Sequence, residues 1–107
     1  MNKDAIEREI FDAAAKYAAK NKVKFGDGAD RDIRVFAKRA ASEIAILPIG
    51  EQLGRIMAAS LSFERLIDEM IRQSRSIPNY QAQHPGIIGE QTLAGALSLL
   101  CPLWPFC

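Results

Sequence analysis

The chain has 107 residues, 49% of them hydrophobic and 25% charged, with a formal net charge of +1. That length holds one domain and not two, and the composition excludes a disordered chain, a disulfide scaffold and a polybasic nucleic-acid tail. A domain of this size buries roughly two thirds of its unfolded surface, enough for one modest core. The opening MNKDAIEREIFD is charged from Lys3 onward and has no apolar run ahead of a small-residue cleavage site, so the expected location is the cytoplasm.

The first predicted helix spans residues 3–22, capped by Asn2, with Ile6, Ile10, Ala13, Ala14, Tyr17 and Ala18 on its inner face. Asp4, Glu7 and Glu9 crowd its start and Lys20, Lys22 and Lys24 its end, each favourable to the helix dipole. The alanines make this face thin and allow a neighbouring helix to come close. Phe25-Gly26-Asp27-Gly28 reads as a turn, since both glycines can take positive φ. Asp27, Asp30 and Asp32 suggest a calcium loop only superficially, because the twelve-residue frame and its terminal Glu are missing. Asp27 or Asp30 is instead expected to cap the second helix, residues 30–46. Ile33, Phe36, Ala37, Ala40, Ile44 and Leu47 form its apolar face, and Pro48 stops it.

The third predicted helix, 50–74, is the one the others should pack around. Leu53, Ile56, Met57, Ala59, Leu61, Phe63, Leu66, Ile67, Met70 and Ile71 fill well over half of its circumference. Such a helix should be covered by neighbours on at least two sides. Residues 75–88 contain two prolines, a glycine and several amides and read as a loop, with room for a short helical turn near Tyr80. The last helix, 89–100, starts at Gly89, and Ile88 with Leu93 forms a hydrophobic staple. Cys101-Pro102 ends it and an extended tail follows. Ile49-Gly-Glu-Gln52 recurs as Ile88-Gly-Glu-Gln91, which is one capping solution used twice rather than a repeat. The expected fold is all-α: an irregular bundle of about four helices, one domain over 1–107, with 101–107 as an apolar Pro/aromatic tail.

No P-loop, GxGxxG or HExxH is present. His84 with Cys101 and Cys107 fits no compact zinc spacing. A nucleophilic Cys101 or Cys107 paired with His84 lacks a helix-start or strand-turn setting, and the dipole at a helix end disfavours a Cys101 thiolate. Glu64 and Asp68, one turn apart, are expected to bridge to a lysine or arginine of another helix rather than to act as acid and base. The chain is therefore read as a non-enzyme with no cofactor and no metal.

Arg31, Arg34 and Lys38 share a face of the second helix and, with Arg39, could form a phosphate-binding ridge. The near-zero net charge favours a solvated face instead. The strongest departure from an ordinary domain lies elsewhere. Between Ser76 and Cys107 only Glu90 is charged at neutral pH, and the segment ends in a dense apolar cluster. Leu93, Leu97, Leu100, Leu103, Trp104 and Phe106 are the expected contact surface for another protein, with a homodimer favoured. Completion of the chain's own core by the tail remains the competing reading. A membrane span does not fit, because the uninterrupted apolar helix, 92–100, is about half the ~20 residues needed. The function expected is that of a small cytoplasmic adaptor or inhibitor. The alternative is nucleic-acid binding through Arg31, Arg34, Lys38 and Arg39.

Overall fold

A computed structural model describes residues 1–106. Helices α1 (Lys3–Lys20), α2 (Asp27–Ala45), α3 (Ile49–Ser76), α4 (Tyr80–Gln83) and α5 (Glu90–Leu100) build the molecule, with two-residue strands β1 (Lys24–Phe25) and β2 (Ile87–Ile88). The all-α bundle is as expected from the sequence, and α4 is the short turn anticipated near Tyr80. The strands were not anticipated. They pair in parallel, Lys24 opposite Ile87 and Phe25 opposite Ile88. The chain thus consists of two helix–strand–helix units, α1-β1-α2 and α3-α4-β2-α5, joined at their strands.

Helix α1 starts as its sequence requires: the Asn2 Oδ1 accepts the Ala5 N–H at 2.8 Å. It ends in a Schellman arrangement, the Val23 N–H donating to the Ala18 carbonyl and the Lys22 N–H to that of Ala19. Lys22 takes the left-handed conformation this closure demands (φ 63°), a place usually given to glycine. The expectation that Gly26 and Gly28 supply positive φ is therefore corrected. Gly26 has φ −67° and is the N-cap of α2, so Asp27 and Asp30 sit in the first helical turn and act on its dipole rather than cap it. Gly89 caps α5 in the same way, and Glu90 folds its carboxylate across the bare Gly28. The staple residues Ile88 and Leu93 are both buried in the core.

Helices α1 and α3 lie side by side and parallel. The Met1 amine donates to Gln52 Oε1 at 3.1 Å and the Tyr17 hydroxyl to Asp68 at 2.6 Å, with the same offset of 51 residues in both pairs. Ile6, Ile10, Phe11, Ala14 and Ala18 of α1 meet Ala29, Ile33, Phe36, Ala37, Ala40, Ala41 and Ile44 of α2, and Ile56, Ala59, Phe63, Leu66, Ile67 and Met70 of α3, in one core. Ala13 and Tyr17 are only half-buried, and Phe11, left off the expected inner face, is buried. The ion pair expected of Asp68 is replaced by the bond to Tyr17. Buried Glu69 carries the ion pair, its carboxylate held by Arg72 three residues on and kept below the usual carboxylate range by it.

The Asp68 carboxylate, accepting the phenolic proton, raises the Tyr17 pKa above the ordinary tyrosine value, and partial burial adds to this. A pKa raised on folding contributes stability that is complete below the unfolded value, about 10, and lost as pH climbs through the folded one. Tyr17→Phe is expected to be less stable than the parent below pH ~10, with the difference shrinking above it. Urea unfolding of both proteins between pH 8 and ~11.5 measures this.

Candidate interaction surface

The C-terminal surface expected from the sequence does not exist as a surface. Trp104 is 5% exposed, and Leu93 and Phe106 are also buried. Leu97 and Leu100 are half-buried against the same core, and only Leu103, at 88%, faces outward. The physical reason is an aromatic cluster. The Trp104 indole meets Phe36 edge-on at 4.8 Å between ring centroids, and it packs against Phe63 at 5.4 Å and Phe106 at 5.4 Å. Its Nε1–H donates to the Ser62 carbonyl at 3.1 Å, which satisfies the one polar group that would oppose burial. Arg39 Nη1 donates to the Phe106 carbonyl at 3.3 Å and holds the tail against α2. The tail completes the core of its own chain. The expectations resting on Cys107 lie outside the described residues.

The basic face of α2 is largely taken up. Arg34 Nε donates to Asp30 at 2.7 Å, and its guanidinium sits 3.8 Å from the Phe11 ring centroid. Arg31 lies 3.5 Å from Glu90 and 3.6 Å from Asp32. Lys38 and Arg39 stand exposed without an ion pair among the described residues, and Arg39 donates to the tail carbonyl instead. All four cations face solvent, and three of them already engage a carboxylate or the tail carbonyl.

His84 is exposed and stacks on Tyr80 with ring centroids 4.4 Å apart. The Tyr80 hydroxyl accepts the Gly89 N–H at 3.1 Å, so the pair braces the start of α5. Among the described residues no three His, Cys, Asp or Glu side chains converge as metal ligands, and no helix is long and apolar enough to cross a membrane.

A continuous run of exposed apolar side chains lies on α3. Ile49, Leu53, Met57 and Leu61 are between 62% and 81% exposed, and they recur every four residues as one ridge. Helix α3 is covered by α1, α2 and α5, as expected, but one apolar flank of its N-terminal half, expected to be covered with the rest, is open. The reason is packing geometry. Met1 lies opposite Gln52 and Tyr17 opposite Asp68, which places α1 on one flank, while on the other the tail is bonded at Ser62 and stands off from Ala58 across a depression. Beside the ridge, each three residues earlier, run Gly50, Gly54 and Ala58. Both glycines open onto empty space. A groove of about 310 Å³ between α1 and α3, with Ala13 and Ile56 in its lining and Glu9 and Glu64 among its polar residues, borders the ridge. A second depression of about 300 Å³, lined in part by Ala58, Leu47, Pro105 and Phe106, borders the small residues. The sequence signal for this surface is the excess of apolar positions around α3, which does not say which of them turn inward.

The chain matches no protein-family model, no curated protein and no solved structure.

Proposed function

We propose that this protein is a cytoplasmic protein–protein interaction module, an adaptor or inhibitor with no catalytic role, whose docking face is the N-terminal half of α3. The observation that carries this reading is the ridge Ile49-Leu53-Met57-Leu61, four large apolar side chains in helical series left to water. Contiguous apolar surface of this kind marks contact sites, and an i, i+4, i+8 series presents itself to a groove or to another helix. The dehydration each side chain gains on docking, roughly 1.5–3 kcal/mol when complete, is the driving force. The function expected from the sequence is kept, while the surface moves from the C-terminal segment to α3.

A photo-crosslinking residue at Met57, in cells making the full chain, is expected to yield a discrete adduct. The same residue at exposed Val35 on α2 serves as the control and is expected to yield none of that mass. Absence of any adduct specific to Met57, repeated at Leu61, would remove the docking role.

A further inference from the structure

We infer that the helix received by this face is the α3 of a second copy of the chain, laid antiparallel across a two-fold axis near Ala58. This rests on the reading of α3 as the docking face and adds the identity and orientation of the partner.

The face is complementary to itself. Leu53, Met57 and Leu61 form a ridge, and Gly50, Gly54 and Ala58 form a furrow immediately beside it on the same helix. Glycine in the interior of an exposed helix weakens that helix relative to alanine. Nothing in the chain's own packing calls for it at Gly54, beyond the first turn of α3, since a Cβ there would meet no atom within 4 Å. A furrow without side chains serves the close approach of another backbone. An antiparallel two-fold keeps each flank of the face on its own side, so furrow meets furrow, where the missing side chains let the two backbones approach closely, and ridge meets ridge along the other edge.

The charges choose the direction. Glu51, Ala58 and Arg65 are spaced by seven residues and lie on one side of α3, all exposed. Neither Glu51 nor Arg65 enters an ion pair among the described residues. With α3 antiparallel about Ala58, Glu51 of each copy lies opposite Arg65 of the other, giving two attractive pairs. In a parallel arrangement the Glu51 and Arg65 flanks of the two copies would fall on opposite edges of the contact, and neither pair would form. The stretch from Glu51 to Arg65 is about 21 Å long at 1.5 Å per residue. Two such faces bury on the order of 1,000 Å², the lower edge of specific interfaces, so the association is reversible.

Sedimentation equilibrium of the purified full chain, from about 5 to 500 µM, tests this. A monomer–dimer equilibrium with a micromolar Kd is expected. Gly54→Leu fills the furrow and is expected to weaken association at least ~10-fold without lowering the melting temperature, because leucine is the better helix former. Glu51→Arg and Arg65→Glu are each expected to weaken it by about 3- to 10-fold, and the double variant to recover to within about twofold of the parent. A chain monomeric at every concentration overturns the inference, as does a dimer indifferent to Gly54→Leu. Failure of the double variant to recover overturns the antiparallel pairing. If the chain is monomeric here but the Met57 probe captures a different protein in cells, this inference falls and the docking role stands. If neither occurs, both fall.

Discussion

Trp104→Ala is expected to destabilise the protein by about 3–5 kcal/mol, the range for removing a buried large aromatic side chain. The expectation rests on the position of the indole among Phe36, Phe63 and Phe106, with its N–H bonded to the Ser62 carbonyl. Aromatic pairs at such distances each contribute about 0.5–1.5 kcal/mol beyond the area they bury. Truncation to alanine opens a void bordered by rings held between helices, which cannot all turn into it. Leu103→Ser, one residue away on the exposed side of the tail, is expected to change stability by no more than about 0.5 kcal/mol. Urea unfolding of the two variants gives the contrast directly. If the C-terminal segment were the docking surface, the pattern would invert: Trp104→Ala would cost association and leave folding intact.

The second large effect is expected at Ile10→Ala, toward the upper part of the 2–5 kcal/mol range for such a deletion. Ile10 has no exposed surface, and much of the core around α1 and α2 is alanine: Ala14, Ala18, Ala29, Ala37, Ala40 and Ala41. An alanine has no rotamer with which to move into a vacated space, and the cost of a cavity rises with the volume left unfilled. The helices approach closely because their contact is thin, and the few isoleucines between them carry much of the apolar burial. Equilibrium unfolding of Ile10→Ala beside Leu61→Ala compares a deletion in this core with one on the open ridge. A loss at Ile10 no greater than at Leu61 would contradict this account of the core.

The helices were legible because each has a local cause. Asn2 ahead of an amphipathic run gives α1, and Pro48 bounds the second apolar face. The paired strands were not legible, since a two-residue ladder has no period to detect and Phe25 meets Ile88 only after the helices have packed. The two largest corrections share one origin. Composition told that the chain holds more apolar surface than a narrow core needs, but it did not tell which part turns inward. For Trp104 that is decided by Phe36, Ser62 and Phe63, all distant in sequence. For Leu53, Met57 and Leu61 it is decided by where α1 and the tail stop alongside α3. The arginines of α2 behave alike: Arg31 reads as free until Glu90, from the other end of the chain, is brought within 3.5 Å of it.

The β1–β2 ladder has a kinetic consequence. Joining Lys24 to Ile87 closes a loop of roughly 60 residues, an entropic cost of about 4 kcal/mol, which a few backbone hydrogen bonds at a net ~1 kcal/mol each do not offset. The latch therefore snaps shut only once the α1–α2 hairpin and the long third helix already hold its jaws together. It is the product of assembly rather than its nucleus, and the burial of Ile88 in the core is what keeps it closed afterwards.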